Sequence, residues 1–454
     1  MTATTGVVLI VVLVLFFALL AIRLHVGLSL MASAFVGVLL LRGTGAGVST
    51  VANQPFSTAA SYSLTIIPLF IVMGIFAVRA GLAQAGFDLA SAVLRRLPGG
   101  PALASLAGSG MFAAVTGSSV ATVATMARVS TDAIVRAGYS IRLAAGVVCA
   151  GGTLGVLIPP SIVLVLYGVV TEESIGQLLI AGIGPGLLTI AVYAVTIVGL
   201  VMWQRRRAGV RSGEPTTEQA PADDGTAAAN DEPGRLDIIG FLYLAVIFAV
   251  SIGTIYLGLA TPTEAASFGA LAALVVLLLR TRPPAWIREV GEALREAVGL
   301  TAMTFLLMVG AGVFTYVLAL SGASSSLVNA VTAADLPPYL VLVLCLAILL
   351  PLGMFLDGIS MILIAAPLLH PILTGYGFDG IWLGVLVVKV AEMALITPPV
   401  GMNAFVYSGA VREAGLGRIF RGIVPFIVAD LVVVALLIAF PAIITFLPSM
   451  SGAQ

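Results

Sequence analysis

Two helix-breaking patterns rich in Gly, Ser and Pro recur at matching places in the two halves of this chain. The first half carries Thr116-Gly117-Ser118-Ser119 and then Leu157-Ile158-Pro159-Pro160-Ser161, and the second half carries Leu356-Asp357-Gly358-Ile359-Ser360 and then Ile396-Thr397-Pro398-Pro399-Val400-Gly401. Broken helices inside an apolar segment expose backbone groups. The carbonyls of half-helix C-termini suit a hard cation such as Na⁺, whereas the N–H groups of half-helix N-termini suit an anion.

The side chains in these patterns fit such a site. The hydroxyls of Ser118, Ser119, Ser360 and Thr397 can contact a cation or a polar substrate, and glycine at 117, 155, 358 and 401 permits close backbone approach. Alternatively, Gly and Ser serve only tight helix packing and Pro only kinks the helices. Two copies at nearly equal spacing favour a binding site between the copies.

The composition places these patterns in a membrane protein. The chain has 454 residues, of which 60% are hydrophobic and 9% are charged, and its mean hydropathy is +1.15. Soluble proteins carry about 25% charged residues. The net charge of zero gives no electrostatic basis for binding nucleic acid. Cys149 and Cys345 lie in apolar segments, where we expect small core residues rather than a disulfide.

The apolar runs predict an all-α polytopic fold. We expect about ten transmembrane helices plus two re-entrant hairpins, at 101–135 and 338–374. The spans are predicted at 6–22, 26–41, 63–79, 141–170, 178–203, 236–258, 262–280, 297–320, 381–408 and 422–447, with amphipathic stretches at 86–98 and 284–296. The first run lacks a basic leader and a cleavage site, so it indicates a membrane helix rather than a signal peptide.

The charged residues predict the orientation of this fold. Residues 204–235 hold 11 of the 42 charges and form a predicted disordered cytoplasmic linker. With that linker inside, 19 of the 20 arginines fall on the cytoplasmic side and only Arg42 falls outside. The halves 1–203 and 236–454 then become inverted repeats, both termini face outward, and the two hairpin tips meet near the membrane midplane.

Ionisable residues within apolar segments are candidates for function. Lys389 is the only lysine, and Glu392 follows three residues later, which predicts an ion pair on one helix face. Asp357 at the second hairpin tip suits either a Na⁺ ligand or a helix N-cap, and Glu264 suits the first turn of a helix. His25 and His370 are isolated and predict no metal site.

Four strings in the chain resemble the large membrane subunit of TRAP transporters, the tripartite ATP-independent periplasmic carriers. They are GSSVAT at 117–122, GGTLGVLIPPS at 151–161, GLATPTEAASFGA at 258–270 and AEMALITPPVGMN at 391–403. This resemblance implies an elevator-type carrier of the inner membrane, with a fold like that of the ion transporter superfamily, coupled to Na⁺. A periplasmic solute-binding protein would deliver an organic acid, such as a C4-dicarboxylate or sialic acid. A separate four-helix membrane subunit would complete the complex.

The resemblance also implies site residues. Two Na⁺ sites would pair the first tip with the first break and the second tip with the second break, mostly through backbone carbonyls. The implied Na⁺ residues are Gly117, Ser118, Ser119, Gly152, Gly155, Pro159, Asp357, Gly358, Thr397, Pro398, Gly401 and Met402. The implied substrate-binding residues are Ser118, Ser119, Thr122, Asp357, Gly358 and Ser360. Gly358 departs from the family, where proline is common, and the linker is long.

Other functions remain to be weighed against this expectation. A self-sufficient Na⁺/dicarboxylate symporter of related elevator design would need no binding protein, and a purely structural scaffold would need no ion. An enzyme is not expected, because the sequence lacks the HExxH and GxSxG motifs and any suitably spaced pair of aspartates. The P-loop of an ATP-driven pump is also missing from the sequence.

Overall fold

The computed structural model describes residues 3–94, 96–210 and 237–451, and within these ranges the chain forms twenty α-helices. They are Ala3–Ala21 (α1), Val26–Ala59 (α2), Ile66–Arg79 (α3), Leu82–Leu94 (α4), Gly100–Thr116 (α5), Ser119–Arg136 (α6), Ile141–Gly152 (α7), Ile162–Thr171 (α8), Ile175–Ala181 (α9), Ile183–Val210 (α10), Ile238–Tyr256 (α11), Pro262–Arg280 (α12), Trp286–Ser321 (α13), Ala323–Ala333 (α14), Pro338–Leu352 (α15), Gly358–Gly375 (α16), Gly380–Ala394 (α17), Met402–Ala410 (α18), Leu416–Ala439 (α19) and Ala442–Met450 (α20).

The predicted all-α polytopic membrane architecture is confirmed. Eight helical segments among the described residues are long and apolar enough to cross a membrane. Three of the ten predicted spans are not among the eight. Those at 141–170 and 381–408 are each divided by a Pro-Pro break into two shorter helices, and the one at 6–22 is a shorter apolar helix, Thr5–Ala21. The helix Gly358–Gly375, predicted as half of the second hairpin, is among the eight. Both predicted hairpins are present as packed helix pairs, α5 with α6 and α15 with α16.

Several elements differ from their predicted bounds. Helix α2 continues to Ala59 through a kink at Gly43, and α13 is one helix of 36 residues where we expected an amphipathic stretch and a separate span. Its start is rich in Glu, Arg, Ala and Leu, which are strong helix formers, so nothing interrupts it before the apolar part. Helix α10 continues to Val210, and the rest of the predicted linker, 211–235, lies outside the described residues.

The helices pair in a pattern that is repeated in the two halves. Helix α2 packs on α13 as α12 packs on α3, and α6 packs on α18 as α16 packs on α8. By their order along the two halves, α2, α3, α6 and α8 correspond to α12, α13, α16 and α18. Exchanging every helix for its counterpart therefore turns the α2–α13 contact into the α12–α3 contact, and the α6–α18 contact into the α16–α8 contact. This packing supports the inverted repeats with boundaries at 1–203 and 236–454, which stay a prediction.

Two ion contacts join elements that the predicted orientation places on the same side. Asp237, just before α11, pairs with Arg280 at the end of α12. The hydrogen bond from Arg280 lowers the pKa of the Asp237 carboxyl. His370 Nε2 on α16 lies 2.9 Å from Glu173 Oε1, in the loop after α8. The first contact lies at the predicted cytoplasmic face and the second at the opposite face.

The crossing of α2 and α13 depends on two glycines that face each other. A Cβ at Gly27 would lie 2.5 Å from the Leu306 carbonyl oxygen, and a Cβ at Gly310 would collide with the Gly27 carbonyl oxygen. Small residues allow this close approach of two helix backbones, and dispersion contacts then stabilise the pair.

We therefore expect Gly310→Ala to destabilise the protein by about 1–3 kcal/mol, because the added methyl group forces the two helices apart. The melting temperature of the purified protein, measured by intrinsic fluorescence, tests this. The matched control is Gly299→Ala on the same helix, where no atom lies within 4 Å of the added Cβ. Equal melting temperatures for the two variants would contradict the proposed role of the crossing.

Candidate functional site

The first hairpin turns at Gly117 and Ser118. Gly117 ends α5 with φ of 59°, a left-handed conformation that favours glycine. Ser118 is extended, and its hydroxyl oxygen accepts a hydrogen bond from the backbone N–H of Ala121, which caps α6. The tip therefore exposes the N-terminus of α6, whose first residue is Ser119.

This first tip packs directly on the first break. A Cβ at Gly152 would lie 3.0 Å from the Ser119 carbonyl oxygen, and a Cβ at Gly117 would lie 3.5 Å from the Pro160 carbonyl oxygen. Between them, α7 gives way to a 3₁₀ turn at Thr153–Val156, and a cis Pro159-Pro160 bond precedes α8. The structure thus places Gly117 and Ser119 of the first tip against Gly152 and Pro160 of the first break, and their role as a Na⁺ site stays a prediction.

The second hairpin turns at Asp357. This residue occupies the N-cap position of α16, but its side chain makes no capping bond to a backbone N–H. Its carboxylate instead accepts a hydrogen bond from the Ser360 hydroxyl. Of the two predicted roles for Asp357, the structure shows the capping position without a capping bond to a backbone N–H, and the role as a Na⁺ ligand stays a prediction.

The second tip meets the end of α17 rather than the middle of the second break. A Cβ at Gly358 would lie 2.8 Å from Glu392 Oε1 and 3.9 Å from the Leu395 side chain. The break itself is held by its own hydrogen bonds. The Thr397 hydroxyl donates to the Met393 carbonyl at 2.7 Å, and the Asn403 N–H donates to the Leu395 carbonyl at 3.1 Å.

Other predicted residues of this break lie close by. Pro398-Pro399 is a cis bond, and Gly401 adopts a left-handed conformation with φ of 56° just before Met402, where α18 begins. A Cβ at Gly401 would lie 3.3 Å from the Ile396 carbonyl oxygen. The two sides of the break are therefore packed against each other.

Both hairpin tips line one cavity of about 330 Å³. From the hairpins it receives Thr116, Gly117, Ser118, Ser119, Val120, Ala121, Asp357, Gly358 and Ile359, and from the end of α17 it receives Glu392 and Leu395. Thr122, Ser360 and Thr397 are not in this lining. The Thr122 hydroxyl is buried and donates to the Ser118 carbonyl at 2.8 Å, so it supports the tip from behind.

Helices α3 and α13 form another wall of the cavity, and this wall includes a charged cluster. Arg79 at the end of α3 bonds to three carboxylates on α13, at 2.9 Å to Glu292, 3.3 Å to Glu296 and 3.4 Å to Glu289. Arg79 and Glu296 line the cavity. The sequence predicted Arg79 only as the last residue of the span 63–79 and as one of the arginines on the cytoplasmic side. The glutamates at 289, 292 and 296 are spaced to lie on one face of a helix, and this spacing could have predicted a site for a basic partner.

Comparison with known proteins identifies the family of this chain. Residues 13–443 match the family model described as the DctM component of the tripartite ATP-independent periplasmic transporter. The chain belongs to this DctM family. The predicted resemblance to TRAP large subunits is confirmed, and the permease names of the relatives agree with the expectation that the chain is not an enzyme.

Two relatives and one solved structure illustrate the match. The chain is 35% identical over 405 residues to the C4-dicarboxylate TRAP transporter large permease protein DctM of Pseudomonas aeruginosa, covering 89% of this chain and 90% of that one. It is 30% identical to the isethionate TRAP transporter permease protein DctMQ of Oleidesulfovibrio alaskensis, covering 95% and 64%. The YdaH transporter of Alcanivorax borkumensis shares the fold, with a TM-score of 0.63, 16% identity, and coverage of 91% and 97%.

In this DctM-family chain, the predicted Lys389–Glu392 ion pair is wrong. Lys389 Nζ lies 2.5 Å from Asp430 Oδ1 on α19, and both side chains are fully buried. Tyr193 on α10 also donates to Asp430 Oδ1, at 2.6 Å. Glu392 instead accepts a hydrogen bond from the Ser119 hydroxyl. Asp430 is the only acidic residue in the apolar helix α19, and on that ground the sequence could have predicted it as the partner of the single lysine.

We expect Lys389→Leu alone to destabilise this DctM-family chain by about 3–5 kcal/mol, because it leaves the Asp430 carboxylate buried without a cation. The double variant Lys389→Leu/Asp430→Leu should recover most of that loss. Thermal unfolding of the three proteins in detergent measures both effects. A double variant no more stable than the single one would show that the ion pair is not the cause.

Proposed function

We propose that this chain is the large permease subunit of a Na⁺-coupled transporter that imports an organic acid by an elevator mechanism. The observation that supports this most strongly is that both hairpin tips line one cavity. Two hairpins with opposite predicted orientations and one shared cavity suit a site that is reached alternately from each side of the membrane.

The N-termini of α6 and α16 support an anionic substrate. Their first residues, Ser119 and Gly358, line the cavity, so the partial positive charges of two helix N-termini face it. The Ser118 hydroxyl can add a hydrogen bond. One relative is named for C4-dicarboxylates and another for isethionate, and both of these are small organic anions.

The helix breaks support binding of Na⁺ as the coupling ion. The first site would take carbonyls from Gly117, Gly152, Gly155 and Pro159 and hydroxyls from Ser118 and Ser119. The close packing of Gly152 on the Ser119 carbonyl supports this site. The second site would take Asp357 and Gly358 from the tip, the hydroxyl oxygen of Thr397, and carbonyls from Pro398, Gly401 and Met402. Oxygen ligands of this kind suit a hard monovalent cation.

The packing supports a division into a fixed and a moving part. Helices α2, α3, α12 and α13 pack on one another and form the fixed part in this proposal. The hairpins with α7, α8, α17 and α18 form the moving part. The cavity lies at their boundary and extends to Arg79, on the predicted cytoplasmic side, so the described conformation is inward-facing in this proposal.

We further propose the partners implied by the family. A periplasmic binding protein delivers the substrate, and a small membrane subunit of four helices lies on a separate chain. The relative named DctMQ is longer than the region matched by this chain, which is 64% of it. We expect the complex to lie in the inner membrane, with both termini of the large subunit outside.

Uptake of labelled C4-dicarboxylates and related acids into proteoliposomes tests this function. We expect transport only when the large subunit, the small subunit, the binding protein and an inward Na⁺ gradient are all present. Replacing the Na⁺ gradient with a K⁺ gradient should abolish uptake. Transport by the large subunit alone would instead identify a self-sufficient symporter, and transport without Na⁺ would reject sodium coupling.

Within this assay, Ser118→Ala and Thr397→Ala should each raise the Na⁺ concentration for half-maximal uptake by roughly tenfold, which corresponds to about 1.4 kcal/mol for one lost contact. Ser267→Ala on α12 is the matched control, because its hydroxyl lies outside the cavity and bonds to the Thr263 carbonyl. If both site variants keep the sodium dependence of the control, the proposed ligands are incorrect.

A further inference from the structure

One carboxylate, Glu392, reaches both hairpin tips. Its side chain is 1% exposed, and it lines the cavity from the end of α17. Oε2 accepts a hydrogen bond from the Ser119 hydroxyl at the first tip. Oε1 lies next to Gly358 at the second tip, since a Cβ there would be 2.8 Å away. The N-termini of α6 and α16 therefore converge on this one side chain.

Glu392 differs from the other buried charges in having no salt-bridge partner. Lys389, three residues earlier on the same helix, forms an ion pair with Asp430. The Asp430 carboxylate also accepts a hydrogen bond from the Tyr193 hydroxyl. Among the described residues, Glu392 makes no ion pair. A buried carboxylate that makes no ion pair is strongly unfavourable, so either a proton or a bound cation has to neutralise it.

The predicted first Na⁺ site needs such a negative charge. All of its expected ligands are neutral, being the backbone and hydroxyls of Gly117, Ser118, Ser119 and the 152–159 break. The second site contains Asp357. A cation moved into the membrane interior without a counter-charge carries a large desolvation penalty.

We propose that Glu392 is the charged residue of the first Na⁺ site, so that each of two coupling ions is matched by one carboxylate of the moving part. This rests on the proposed sodium-coupled function. Ser119, which was predicted as a ligand of that site, is already bonded to Glu392. Because the same carboxylate lies beside Gly358, a Na⁺ bound there orders both tips before the anionic substrate enters.

Sodium binding to the complex of the full chain with its small subunit, in lipid nanodiscs, tests this without relying on transport. The melting temperature is followed against NaCl at constant ionic strength with choline chloride. We expect Glu392→Gln to raise the Na⁺ midpoint about tenfold or more and to reduce the steepness of the titration. Glu392→Asp, which keeps the charge but is shorter, should shift the midpoint less.

The matched control is Glu264→Gln, which changes a carboxylate in the capping box of α12, outside the cavity. It should titrate like the wild-type protein. If Glu392→Gln also keeps the wild-type midpoint, the proposal is overturned while sodium coupling stands. If Glu392→Gln does not fold, Glu392→Asp is measured instead. A raised Na⁺ midpoint for Glu392→Asp supports the proposal, and a wild-type midpoint overturns it. A wild-type protein that Na⁺ does not stabilise would reject both proposals.

Discussion

Backbone hydrogen bonding in hydrocarbon is the constraint on which this structure depends. Lipid cannot satisfy the N–H and C=O groups of a broken helix, so every break must be closed by protein or by a polar cavity. Here Ser118 and Ser161 cap the helices that follow the first tip and the first break. The bond from Asn403 to the Leu395 carbonyl joins the two sides of the second break. The four breaks gather in one region because each helps to enclose the others.

Close packing by glycine follows from this constraint. The Ser119 carbonyl lies against Gly152 and the Glu392 carboxylate lies against Gly358, so the tips approach helix ends at distances that a side chain would prevent. At Gly310 and Gly27 the same property joins α2 to α13. Glycine therefore has two structural roles in this chain. In the hairpins it brings polar groups together, and between long helices it brings backbones together.

The local features of the fold and site were predictable from sequence, whereas the long-range contacts were not. Gly117-Ser118 cannot continue an α-helix, so the hairpin could be recognised from its own residues. The partner of Lys389 is 41 residues away on another helix, and Ser119 and Glu392 are 273 residues apart. Helical spacing suggested Glu392 for Lys389 because it reports only on neighbours along one helix. Whether Lys389 pairs with Glu392 or with Asp430 depends on how α17 packs against α19.

The buried charges near the cavity separate into two kinds by this criterion. Lys389 and Asp430 neutralise each other within the fold, and Tyr193 adds a hydrogen bond, so this group requires nothing from outside. Glu392 has a hydroxyl and two helix N-termini around it but makes no ion pair among the described residues. A buried charge that is paired with another residue of the fold holds helices together. A buried charge that is neutralised only by a bound ion can couple the binding of that ion to motion. By that physical distinction, the position of Glu392 between the two tips, rather than its burial alone, favours a role in the transport cycle.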